Sequence, residues 1–113
     1  MTARELDQQF KWTAHEPSAL KAGLEPTIID IVKYRRPVEG LQPKDATIIQ
    51  LGREVLSRRS VDSRTFAEAL KLFGEKDLVD LVSVISQYSA TAVLLNVFDQ
   101  QLAPGQKPLL PKR

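Results

Sequence analysis

From Leu81 to Phe98 the chain carries no charged residue, and apolar side chains recur there on every side of a helical wheel. A helix without a polar face must be covered all round, and this one constrains everything else the chain can build. The stretch comes close to the roughly 20 residues that cross a bilayer. Ser83, Ser86, Gln87, Ser89, Thr91 and Asn96 interrupt it, however, and Asp80 and Asp99 bound it. Those polar groups would be costly in hydrocarbon and are tolerable against another protein surface. The expectation is therefore a long terminal helix, from about Lys76 to Leu102, with part of its surface buried between subunits and no membrane span. Met1 to Asp7 holds Arg4, Glu5 and Asp7 with no apolar run behind it. It does not read as a secretory signal, so the default location is cytoplasmic.

At 113 residues, the chain has room for one domain. Helix punctuation recurs along it. Pro26 and Pro43 suit the first position of a helix, where the missing N–H is no loss. Asp62 can cap a third entry, with Val61 packing on Phe66 as a hydrophobic staple. Gly23 and Gly74 fall where helices close, Gly40 marks a loop, and Pro37 should end a helix carrying Tyr34 to Arg36. Gly52, inside a helix, suggests that another backbone approaches there. Apolar spacings of three and four, as in Ile48, Leu51, Val55 and in Phe66, Ala69, Leu70, Phe73, predict an all-α fold of about five helices over residues 1–102. The segment 103–113 holds Pro104, Pro108 and Pro111, and reads as an extended tail strapped over a neighbour or loose.

Composition removes whole classes of chemistry. With no cysteine there is no disulfide, thiolate nucleophile, dithiol redox couple, iron–sulfur cluster or Cys-based zinc site. A single histidine gives no His-rich metal cage and at most one imidazole per subunit. The sequence calls for no cofactor and no metal. Sixteen Lys and Arg against fourteen Asp and Glu leave a net charge of +2, too small to require a nucleic-acid or anionic-membrane partner. Gly-x-Ser-x-Gly is missing, as is any phosphate-cradling glycine loop. Lys33, Arg35 and Arg36 read first as a solvated helix end favoured by the macrodipole. Arg53, Arg58, Arg59 and Arg64 form a second basic group, interleaved with Glu54 and Asp62. A carboxylate metal site among Glu54, Glu68 and Asp80 has no support. Asn96 and Gln87, with Tyr88, are placed to hydrogen-bond across an interface or to line a pocket.

One constellation remains. Phe10-Lys11-Trp12-Thr13-Ala14-His15-Glu16-Pro17 contains the only Trp and the only His of the chain. On a helix Gln8, Lys11 and His15 share a face, with Trp12 beside His15. Pro17 cannot donate to the carbonyl of Thr13, which should bend the helix after His15 and free an acceptor near the imidazole. This is an acid/base arrangement, and equally the arrangement of a buried histidine satisfied by backbone.

The block Trp12-x-x-His15-x-Pro17-x-Ala19-x-x-x-Gly23 stands together with Arg35-Arg36-Pro37, Arg58-Arg59-Ser60-Val61-Asp62, Tyr88 and Leu95-Asn96-Val97-Phe98. From Phe10 to Pro111 the chain thereby resembles the carboxymuconolactone decarboxylase-like family of the alkylhydroperoxidase D-like superfamily. The resemblance implies an all-helical fold assembling into trimers or hexamers. It also implies a carboxy-lyase or binding activity toward a small organic acid or lactone. His15 would be the acid/base, Lys11 and Arg36 would be carboxylate partners, and Trp12 and Tyr88 would shape the pocket.

Thiol members of the superfamily read Cys-x-x-Cys-x-x-x-His, and here Gln8 and Lys11 stand at the Cys positions, which removes thiol peroxidase chemistry. The decarboxylase-like subgroup often has Tyr-Glu-Trp where this chain has Phe10-Lys11-Trp12. The family pattern extends further upstream, so the chain corresponds to its C-terminal core. The second expectation is a non-catalytic oligomeric module that keeps the helical assembly.

Overall fold

The computed structural model describes residues 1–112. Among them it contains five α-helices and no strand. They are α1 (Thr2–Glu5), α2 (Gln9–Lys21), α3 (Pro26–Lys33), α4 (Pro43–Arg53) and α5 (Ser63–Val97), with a π-helical turn, Glu54–Arg58, continuing α4. Pro26 and Pro43 each occupy the first turn of their helix. α2 closes as Gly23 demands: its φ of +94° lets the N–H groups of Gly23 and Leu24 donate back to Leu20 and Ala19, at 3.1 and 3.0 Å.

Gly74 does more than close a helix. At φ 75° and ψ 169° it breaks α5 into a proximal arm, residues 63–73, and a distal arm, residues 75–97. Only glycine adopts that conformation without strain.

Elsewhere the ends differ from expectation. α3 stops at Lys33 because Arg35 turns left-handed (φ +51°) and the Arg36 N–H donates back to Ile31, so Tyr34 to Arg36 are not helical. The distal arm ends at Val97, five residues before Leu102, where Asp99 takes φ +49° and the Gln100 N–H donates to Leu95. Asp62 occupies the N-cap of α5 without capping through its side chain; its carboxylate instead meets Arg58 at 2.9 Å. Val61 packs toward Leu51, Ala69 and Leu78, while Phe66 is exposed, so the expected staple does not form. α2 runs on through Pro17 to Lys21.

Two apolar clusters make the core. Trp12, Ile29, Ile31, Val32, Ile49 and Leu110 form the first; Leu51, Ala69 and Leu78 form the second. α4 supplies both, through Ile49 and Leu51. Gly52 lies against the Met1 thioether, not against another backbone: a Cβ there would stand 2.3 Å from the Met1 sulfur.

The tail is strapped across its own chain. The Gln9 side-chain amide brackets Leu110, donating to its carbonyl at 2.7 Å and accepting from its N–H at 2.8 Å. Leu109 N–H donates to Thr13 Oγ1, and Arg4 donates to the Pro111 carbonyl at 2.8 Å. A strap of backbone groups satisfied by side chains is what lets Leu110 be buried.

Candidate functional site

α2 carries the site. Gln8 caps it, accepting from the Lys11 N–H at 3.2 Å, and its amide nitrogen donates to Asn96 at 2.6 Å. Asn96 in turn donates to the Leu6 carbonyl. Asn96 thus works within the chain, pinning the start of α2 to the end of the distal arm. Trp12 and His15, one turn apart, then project toward the distal arm of α5.

Between them lies a cavity of about 320 Å³, walled by residues of α1, α2, α3, α4 and the distal arm. Trp12 is buried in its wall. His15 is exposed at its mouth, and Tyr88 reaches across from the distal arm. The two rings meet edge-on, with centroids 5.5 Å apart and planes at 70°, a favoured aromatic geometry. The Lys11 ammonium stands 5.5 Å from the centroid of the same Tyr88 ring, a cation–π contact. His15, Trp12 and Tyr88, distant in sequence, therefore share one cavity, and Lys11 joins them through Tyr88. The remaining wall is apolar, with Ile28, Ile48, Leu81 and Val84 among it.

Arg36 does not join them. Its guanidinium lies over Tyr34, 5.1 Å from the ring centroid, and its carbonyl accepts from Arg53 at 2.9 Å. The left-handed turn at Arg35 directs this segment away from the cavity.

Sequence reasoning passed over Glu16. The Trp12 indole N–H donates to Glu16 Oε2, and Lys33 Nζ lies 2.9 Å from each carboxylate oxygen. Both side chains are nearly withdrawn from water, at 12% and 13% exposure, so Lys33 is not part of a solvated helix end. Arg35 is likewise engaged, with Glu5 at 3.5 Å and Asp7 at 3.7 Å. Trp12 and Glu16 stand four apart on α2, a spacing at which helical side chains meet, so this contact was legible in principle. Glu16 is the one carboxylate lining the cavity among the described residues, and Lys33 already neutralises it.

Arg53 and Arg58 of the second basic group are also consumed internally. Arg53 donates to the carbonyls of Ile31 and Arg36, and Arg58 pairs with Glu54 and Asp62. Glu54 is a buried acid. Burial alone would push its carboxyl up. Hydrogen bonds from Thr65, the Asp62 N–H and Gln50, with the Arg58 charge, outweigh that and hold it below the ordinary value. It joins the π-helical turn to α5 and faces no cavity.

A larger cleft of about 600 Å³ between the start of α2 and the tail is lined by amides, Gln8, Gln9, Asn96 and Gln106 among them. Those amides bond to one another or to backbone, which makes the cleft a seam. Among the described residues, no group of three His, Cys, Asp or Glu side chains is placed to hold a metal ion. A scan against family models and searches of curated proteins and of solved structures find no match to this chain.

Proposed function

We propose that the cavity beside His15 binds, and turns over by proton transfer, a small and largely apolar monocarboxylic acid or lactone. The resemblance to carboxymuconolactone decarboxylase-like proteins suggests the substrate class, and with it an alkylhydroperoxidase D-like arrangement of the helices. The observation that carries the reading is the pairing of an apolar cavity with an imidazole and a phenol at its mouth. A volume of about 320 Å³ lies at the small end of ligand pockets, which are apolar with a few convergent polar groups. His15 would hold or give the proton at the mouth, where water and ligand both reach it, and Tyr88 would donate a hydrogen bond to the ligand oxygen. With Arg36 elsewhere and Lys33 committed to Glu16, Lys11 is the side-chain cation that stands over Tyr88. One ammonium suits one carboxylate, so a monoacid fits better than a diacid.

Short-chain monocarboxylates and γ-lactones, screened by thermal shift, should raise the melting temperature by several degrees at saturating concentration. His15→Ala and Tyr88→Phe should each weaken binding about tenfold, the loss of one hydrogen bond, and Arg36→Met should leave it unchanged. A screen without any shift, or shifts that persist undiminished in both His15→Ala and Tyr88→Phe, would remove this reading.

A further inference from the structure

The distal arm of α5 presents a second apolar face, away from the cavity. Val79, Val82, Ser86, Ala90, Leu94 and Val97 recur at spacings of 3, 4, 4, 4 and 3, which place them in one stripe. All six are exposed. Val84 and Tyr88, which line the cavity, lie on a different side of the helix. At one end the stripe opens into a groove of about 600 Å³ between the two arms, lined by Phe66, Leu70, Val79 and Val82. At the other end stand Val97 and Phe98, 70% and 77% exposed, the most exposed large apolar side chains among the described residues.

The serine and threonine hydroxyls of the distal arm are already satisfied. Ser83, Ser86, Ser89 and Thr91 donate to the carbonyls four residues earlier, at 2.8, 2.8, 2.7 and 3.1 Å. A face treated in this way can lose its water without stranding a donor. Only 17% of the helix's most apolar window is buried, and among the described residues no large side chain is fully buried. The stripe and groove are continuous, sharing Val79 and Val82, and a contiguous exposed apolar face of this kind marks an interaction surface.

We infer that a second copy of this chain covers this face, with the two distal arms packed antiparallel about a two-fold axis near position 88. The spacing carries the choice of partner, because 3-4-4-4-3 reads the same in both directions. An antiparallel pair centred there sets position 79 against 97, 82 against 94 and 86 against 90, and by symmetry each contact occurs twice. The same register brings the exposed Phe98 of each copy to the open groove of the other. No charged residue falls between Leu81 and Phe98 to oppose the contact. Small side chains at 86 and 90 allow close approach at the centre. A lipid surface meets the apolar stripe less well, since Asp77, Asp80 and Asp99 flank it at both ends. The inference is independent of the cavity and stands or falls apart from it.

Sedimentation equilibrium should find a dimer, or a hexamer containing two-folds. Val82→Glu or Leu94→Lys alone should raise the dissociation constant at least about 30-fold. The double variant V82E/L94K should recover to within about tenfold, since the two charges then face each other twice. Both positions are exposed in the protomer, so circular dichroism should be unchanged.

The cysteine-free chain permits a second test. A mixture of Val79→Cys and Val97→Cys proteins should form a disulfide-linked pair on oxidation. Val79→Cys alone should not, its two sites being about 27 Å apart along the axis. Any of four results overturns the inference: a monomer at every concentration, a trimer, an assembly indifferent to Val82→Glu, or self-linking of Val79→Cys. A monomer captured by neutral phosphatidylcholine vesicles overturns it in favour of lipid.

Discussion

Glu54 shows how one side chain can decide a junction. It is buried at 3% exposure, yet it is surrounded by donors: Thr65 Oγ1 at 2.5 Å, the Asp62 N–H at 2.8 Å and Arg58 at 2.8 Å. A carboxylate so held in the folded state binds protons less readily than it does in the unfolded chain. Its contribution to stability is therefore complete above the ordinary value of 4.5 and is lost as pH falls through the lowered one. Urea titrations between pH 6 and pH 3 should show this decline, and Glu54→Gln should flatten it. Glu54→Ala, which strands those donors, should cost about 3 kcal/mol at pH 7. In the sequence Glu54 read as an acid interleaved with arginines and as a metal-site candidate without support. Its role depends on a π-helical turn that brings Asp62 and Thr65 back over it, and no local pattern announces such a turn. Trp12 and His15 were legible because helical spacing alone sets them side by side. Tyr88 came from the resemblance, since helical spacing says nothing of contacts seventy residues away. Arg36 stands outside the cavity, over Tyr34, because a left-handed Arg35 turns the chain there, and no spacing in the sequence signals that turn.

At the scale of elements, the starts were legible and the ends less so. Proline at the first turn is a covalent constraint, so Pro26 and Pro43 could be read directly; a left-handed residue such as Arg35 or Asp99 is chosen by tertiary contacts. Gly74 lies between, because glycine permits the break that the packing of Ala69 and Leu78 then fixes. No atom lies within 4 Å of a Cβ built at Gly74, so Gly74→Ala should act through backbone conformation alone and cost about 1–3 kcal/mol. Gly74→Asn should be no milder, since ψ of 169° is outside the left-handed helical region that asparagine tolerates. Denaturant midpoints of the two variants would test this. The tail was foreseen as extended but not as part of the core. Leu110 joins Trp12, Ile29 and Ile49, and Leu110→Ala should cost about 2–4 kcal/mol. The same substitution should shift the emission of Trp12, the sole tryptophan, to longer wavelength as water reaches it. An unchanged spectrum and midpoint would mean that the strap is detached in solution.

For the whole molecule, the question is whether two small clusters unfold as one. The radius of gyration, 14.4 Å, exceeds the ~13 Å of a compact chain of this length, and the axes of 45 × 28 × 24 Å agree with an elongated body. Cohesion between the halves passes largely through α4, which sends Ile49 into the cluster around Trp12 and Leu51 into the cluster around Ala69 and Leu78. Ile49 and Leu51 stand two apart within one turn of a hydrogen-bonded helix, so neither cluster can loosen its α4 residue without straining the other. Small single domains with such coupling unfold in one step. Trp12 reports only the first cluster, whereas Glu54 lies beside the second. Glu54→Ala should therefore lower the urea midpoint seen by Trp12 fluorescence as far as that seen by far-ultraviolet circular dichroism. If the fluorescence transition stays put while the dichroism shifts, the clusters are separate units. α4 would then be a tether between them, and rigidity of the cavity beside His15 would have to come from α2, α3 and the tail alone.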